Sequence, residues 1–180
     1  RLEQNEVFDI IDTVESGSGL SPHQRAYHEK NKVRDSAILM LFLGTGIRIS
    51  ELVGLNNEDI NFDNNSFIVT RKGGSKSILY FDSDVAAALA RYIEQKENLP
   101  VSREDSNALF LSGRNSRITV RAVENLVQKY AKIVSPLKKI SPHKLRSTYG
   151  TQLYKATGDI YIVADILGHK DVNTTRKHYA

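Results

Sequence analysis

Cysteine is absent from the 180 residues. Disulfides, thiolate metal sites and cysteine nucleophiles are therefore excluded. No apolar run approaches the length that would carry a helix across a bilayer, and no signal peptide is visible, so a cytoplasmic protein is expected. Charge of one sign is also scarce in excess. Twenty-five Lys and Arg against 21 Asp and Glu leave a formal charge of +4, which permits a nucleic-acid partner without demanding one. Internal repeats, low-complexity tracts and clustered carboxylates of the two-metal kind are missing as well. No metal and no cofactor is expected. The chain opens Arg1-Leu2-Glu3 rather than with Met, and is expected to be a fragment.

What is present reads as a mainly helical domain with a small antiparallel three-stranded sheet, an α+β arrangement. Val7, Ile10, Ile11 and Val14 recur at helical spacing before Gly17, and residues 16–22 read as a loop. A polar helical stretch from His23 leads into a buried helix over Val33 to Leu43. Gly44-Thr45-Gly46 is expected to break it before a short helix over Ile47 to Leu55. Strands are predicted at Ile60 to Phe62, Phe67 to Val69 and Ile78 to Phe81, with turns at Asp63-Asn64-Asn65 and Gly73-Gly74. Val85, Leu89, Tyr92 and Ile93 mark a helix that stops before Pro100. Leu109 to Leu111 suggests a short strand, and Thr119 caps a helix to about Val134. Ser141-Pro142 starts another through Lys155. Ile160 to Leu167 is helical up to Gly168, and Asn173 is expected to cap a last short helix bearing Tyr179.

Taken singly, the candidate functional residues have ordinary explanations. His143 and Arg146 lie three apart at a helix start, where dipole and free amides favour an anion, yet a solvated basic helix start looks the same. Arg48 follows a glycine break and could simply pair with Glu51 on the surface. His169 sits just past a helix-ending glycine. Tyr179 is one of eight tyrosines, most of which are half-buried structural residues in any domain. The basic turn Arg71-Lys72-Gly73-Gly74-Ser75-Lys76 could be a solvated loop.

Their combination and order are distinctive. Thr45-Gly46-Ile47-Arg48-Ile49-Ser50-Glu51-Leu52, then His143-Lys144-Leu145-Arg146, then Leu167-Gly168-His169 with Thr174-Thr175 and Tyr179 together resemble the tyrosine recombinase family, the Xer and lambda-type integrases. The resemblance runs from about Leu39 to Tyr179. It implies a catalytic domain over residues 1–180, with residues 1–22 as first helix and loop and the family's N-terminal core-binding domain absent. The implied activity is DNA cleavage and rejoining through a 3′-phosphotyrosine on Tyr179, without metal or ATP. Arg48 and Arg146 would clamp the phosphate oxygens with forked donors, and His169 would donate a further hydrogen bond. Lys72 sits where the family carries a catalytic lysine and would act as general acid, with Lys76 as the alternative. His143 would assist as base, and Glu51 would orient Arg48 or a histidine. Arg71, Lys76, Lys144, Lys170, Arg176 and Lys177 would contact phosphates around the cut. The implied partner is double-stranded DNA, with a homotetramer acting on two sites and the isolated fragment as a monomer. Integration and excision of a mobile element is the expected task. The alternatives are a Xer-type chromosome-dimer resolvase, a type IB topoisomerase, a non-catalytic integrase relic and a generic helical interaction domain.

The sequence departs from the family pattern at Ser147, where many members have histidine. It places the tyrosine ten residues after His169 and ends at Ala180, so a C-terminal segment for docking on a neighbouring subunit is expected to be missing.

Overall fold

The computed structural model describes residues 2–168 together with 175 and 176. Seven α-helices, two 3₁₀ turns and a three-stranded sheet account for its regular elements in that range. Helix α1 (Gln4–Ser16) ends at Gly17. Helix α2 (Pro22–Thr45) begins at Ser21, whose hydroxyl accepts the Gln24 amide, with Pro22 in the first turn. The polar stretch and the apolar stretch of the sequence are thus one continuous helix of 24 residues. It passes straight through Gly44 and stops only at Gly46. At Gly44 a Cβ would stand 3.0 Å from a Val85 methyl, so this glycine serves helix packing, and the expected break is shorter than the sequence suggests.

Helix α3 (Ile49–Val53) follows, then a 3₁₀ turn at Asn57–Asp59 and the strands β1 (Ile60–Asn61), β2 (Ser66–Thr70) and β3 (Lys76–Tyr80). The strands pair antiparallel in the order β1-β2-β3, with Phe67 opposite both Ile60 and Leu79. Asn65 takes the left-handed conformation in the first turn, at φ 52°, a role for which asparagine is suited. Helix α4 (Ser83–Lys96) is capped by Asp82, and α5 (Val120–Val134) by Thr119 as the sequence predicts. The strand expected at Leu109 to Leu111 does not form. Two isolated bridges, Asn56 with Ala108 and Leu111 with Arg117, replace it. The segment lies between the chain after α3 and Ile118, taking the Leu55 carbonyl on one side and giving Phe110's on the other. Helix α6 (Pro142–Thr157) starts at the Ser141 cap, and α7 (Ile160–Leu167) at Asp159. The expected final helix is described only at residues 175 and 176, which are helical.

Helix α2 is the centre of the fold and packs against α1, α4 and α6. Its Ile38, Leu39, Leu41 and Phe42 are fully buried beside Leu52, Phe67, Leu89 and Tyr130 from four other elements. One charged group lies inside this core. Asp35 on α2 is inaccessible. It takes two bonds from Arg34, at 3.0 and 2.8 Å, and one of 2.8 Å from the Tyr130 hydroxyl on α5. Burial, and then the Asp35 carboxylate, push the Tyr130 hydroxyl well above the ordinary tyrosine range, so it stays a donor. Arg34 also reaches the Leu111 carbonyl at 3.1 Å, which ties α2, α5 and the irregular segment together.

Asp35→Ala leaves the largely buried Arg34 without its carboxylate and is expected to lower the unfolding free energy by about 3–5 kcal/mol. Tyr130→Phe removes one hydrogen bond and is expected to lower it by about 1–2 kcal/mol. Urea unfolding followed by circular dichroism measures both. Equal losses would mean that Asp35 is no more than a tyrosine partner.

Candidate functional site

The site begins where α2 stops. The Thr45 hydroxyl donates to the Leu41 carbonyl at 2.6 Å and accepts the Ile47 amide at 3.3 Å, so the residue that ends the helix also shapes the turn. Gly46 then adopts φ 70°. A Cβ there would lie 2.6 Å from the Tyr149 ring and 2.9 Å from a Leu167 methyl. Conformation and space both demand glycine. Tyr149, packed on this glycine, has its hydroxyl pKa raised by burial.

Two residues on, Arg48 caps α3 in extended conformation. Glu51, in the first turn, turns back so that its Oε1 accepts the Arg48 amide at 3.0 Å. The Arg48 side chain is half-buried and reaches the Leu167 carbonyl at 3.5 Å, a long bond.

Helix α6 delivers Arg146. Only 5% exposed, it donates to the Leu167 carbonyl at 2.6 Å and, in a short bond, to the Gly46 carbonyl. Arg48 and Arg146, 98 residues apart in sequence, therefore meet on one carbonyl oxygen at the end of α7. That end carries the negative pole of the helix and carbonyls with no partner inside it. One turn before Arg146 on α6, His143 is exposed. An open cavity of about 340 Å³ is lined by Ile47, Arg48, Ile49, Ser50, Pro142, His143 and Arg146. The first arginine box and the His-x-x-Arg box thus share one concave surface.

The hairpin supplies a residue whose position the sequence reading missed. Arg71 was expected on a solvated turn, facing phosphates or bulk water. Its side chain is 9% exposed and turned inward. It donates to the Ile166 carbonyl at 2.9 Å and stands 3.9 Å from the second Glu51 oxygen. Gly168, at φ 74°, lies directly under its guanidinium, and a Cβ there would fall 2.6 Å from Arg71 Cζ. Strand parity carried the signal. Phe67 and Val69 are buried while Ile68 and Thr70 are exposed, so the next inward position is Arg71. The Arg71 amide extends the ladder by donating to the Ser75 carbonyl at 2.7 Å.

Lys72, at the hairpin turn, and Lys76, at the start of β3 opposite Thr70, are both exposed. Lys144 is exposed in the first turn of α6, and Arg176 is exposed next to the buried Thr175. His169, Lys170, Lys177 and Tyr179 lie outside the described residues. Among the described residues, no three His, Asp or Glu side chains gather as a metal site requires.

A mainly helical domain that converges several guanidiniums on a helix end beside an open cleft is built to handle an anion. The chain belongs to the Phage integrase family, which it matches over residues 1–180. The tyrosine recombinase XerC of Thermodesulfovibrio yellowstonii is 37% identical over 146 residues, 79% of this chain and 48% of that protein. The crystal structure of XerA recombinase superposes with a TM-score of 0.82 at 26% identity, over 98% of this chain and 58% of XerA. The Tn1549 transposon integrase, in complex with circular intermediate DNA, gives 0.76 at 25% identity, over 99% of this chain and 60% of that one. The chain spans about half the length of the curated relatives it matches. Its fold is that of the tyrosine recombinase catalytic domains.

Gly46→Ala places a methyl group into Tyr149 in a conformation that disfavours it. It is expected to lower the unfolding free energy by about 2–4 kcal/mol, combining strain with overpacking. Thermal unfolding measures this. A loss within about 0.5 kcal/mol, the range of ordinary surface substitutions, would contradict the close approach.

Proposed function

We propose that residues 1–180 form the catalytic domain of a site-specific DNA recombinase that cuts and rejoins strands through a 3′-phosphotyrosine on Tyr179. The observation that carries this reading is the meeting of Arg48 and Arg146 on the Leu167 carbonyl beside the cleft that His143 lines.

The chemistry follows from the groups. The Tyr179 oxygen attacks phosphorus, and its proton passes to His143. The bond from phosphorus to the 5′-oxygen breaks, and the leaving oxygen takes a proton from Lys72, with Lys76 as alternative. The phosphate's energy is kept in the new phosphotyrosine bond, so a 5′-hydroxyl can reverse the step without ATP. Arg48 and Arg146 hold the non-bridging oxygens as negative charge grows on them, and His169 donates a further hydrogen bond. Such fixed donors contribute on the order of 3 kcal/mol each to lowering the barrier. Glu51 acts through Arg48, whose amide it holds. Lys144, Lys170, Arg176 and Lys177 contact flanking phosphates, and the partner is double-stranded DNA, a reading supported by the circular intermediate DNA in the Tn1549 integrase complex. Four subunits act on two sites in the cytoplasm.

The task is integration and excision of a mobile element. A second reading, a Xer-type recombinase, is favoured by the 37% identity to XerC.

A nicked suicide DNA duplex is expected to trap a protein–DNA adduct on a denaturing gel. Tyr179→Phe is expected to abolish the adduct and leave DNA binding intact. An adduct that persists in this variant removes Tyr179 from its role. Arg146→Ala is expected to slow adduct formation by about a hundredfold or more, and a rate within threefold of wild type in quenched time courses would take the arginine clamp out of the mechanism.

A further inference from the structure

Arg71 has no part in the proposed reaction, and it does not line the cleft. It is nevertheless more than nine-tenths buried, and its Nε and Nη1 have no hydrogen-bond partner among the described residues. The Glu51 oxygen that faces it is also without one. A buried guanidinium and carboxylate held 3.9 Å apart are attracted, but they leave donors and acceptor incompletely used. Folding alone gives little reason for a charge here, because an apolar side chain of similar volume would fill the same space.

The location supplies a reason. Arg71 immediately precedes Lys72. Its side chain is anchored at the Ile166 carbonyl and lies on Gly168, at the end of α7 where Arg48 and Arg146 also bind. Its second anchor, Glu51, simultaneously holds the backbone of Arg48. Among the described residues, the hairpin loop itself has only local support. The Arg71 amide bonds to the Ser75 carbonyl and the Gly74 amide to the Arg71 carbonyl, while a Cβ added at Gly73 or Gly74 would meet nothing within 4 Å. Lys72 therefore stands on a glycine-rich turn, and the inward contacts of Arg71 fix the base of that turn to the guanidinium cluster.

We infer that Arg71 is a positioning residue: by docking on Ile166, Gly168 and Glu51 it holds the β2–β3 turn so that Lys72 meets the leaving 5′-oxygen. The inference rests on the recombinase reading above. It assigns Arg71 to proton delivery, through its neighbour, and not to phosphate binding.

Leaving-group chemistry separates these roles. A 5′-bridging sulfur leaves as a thiolate and needs little help from a general acid, whereas a 5′-bridging oxygen needs the proton. Adduct formation is measured on both suicide substrates for the wild type, Arg71→Met, Glu51→Gln and Lys72→Ala. Arg71→Met is expected to be slowed about a hundredfold on the oxygen substrate, the scale of a lost general acid. On the sulfur substrate it should return to within about tenfold of the wild type, in parallel with Lys72→Ala. Glu51→Gln keeps an acceptor for the Arg48 amide and should show the same rescue with a smaller initial loss. It also serves as the test if Arg71→Met does not fold.

Equal slowing of Arg71→Met on both substrates would make Arg71 a structural or phosphate-binding residue and overturn the inference. Full activity on oxygen would do the same, as would a Lys72→Ala enzyme that sulfur fails to rescue. A wild-type protein that forms no adduct on either substrate fails at the earlier step, the recombinase reading itself.

Discussion

The carbonyl end of α7 is the point on which the site depends. Three arginines from three distant segments converge there. Arg48 and Arg146 bind the Leu167 oxygen and Arg71 the Ile166 oxygen. Guanidiniums repel one another, and burying one without compensation is costly. A helix C-terminus offers what the cluster needs, namely a concentration of negative dipole and carbonyl oxygens unclaimed within the helix. Glu51 adds a buried carboxylate to the cluster, placed between Arg71 and the Arg48 backbone. Positive charge is thereby gathered at one place before any anion arrives.

This constraint explains the glycines on either side of it. Gly46 offers its carbonyl to Arg146 and has Tyr149 and Leu167 against its α-carbon. Gly168 closes α7 in the left-handed conformation with the Arg71 guanidinium over it. A side chain at Gly168 would strike the Arg71 guanidinium, and one at Gly46 would strike Tyr149 and Leu167. Gly168 is thus required by an arginine, and Gly46 by the packing beside the carbonyl that Arg146 binds.

Much of this was legible in the sequence where local chemistry decided the outcome. Ser141-Pro142, Thr119 and Gly168 set helix ends as their side chains or backbone freedom predict. The three strands follow from alternation and turn residues. The sequence misled where tertiary packing overrode a local signal. Gly44 looked like a breaker, yet Val85 packs against it inside α2. Leu109-Phe110-Leu111 has the composition of a strand but lies in a slot that admits only single bridges. Arg48 and Arg146 were legible as parts of motifs, but their meeting place was not, because a carbonyl at the end of α7 has no side-chain signature. Arg71 was misplaced for a different reason. A basic residue beside two glycines suggests solvent, and only strand parity, counted from Phe67, turns it inward.

The same geometry also links anion binding to the chain that follows α7. This helix has eight residues, too few to persist alone in water. Burial of Val163, Ala164 and Leu167, with the arginine bonds to its last carbonyls, holds it in place. A guanidinium has five N–H donors in a planar fork and can hold a carbonyl with one edge and a phosphate with another. An anion drawn to Arg48 and Arg146 would order their side chains, and ordered side chains grip the Leu167 carbonyl more firmly. Linkage requires the converse: whatever fixes the end of α7 must raise the affinity of the arginines for the anion by the same factor. The segment immediately after that helix end leads through His169 to Tyr179. On the proposed reading, an arginine cluster built on a helix terminus would couple phosphate capture to the placement of the tyrosine that attacks it.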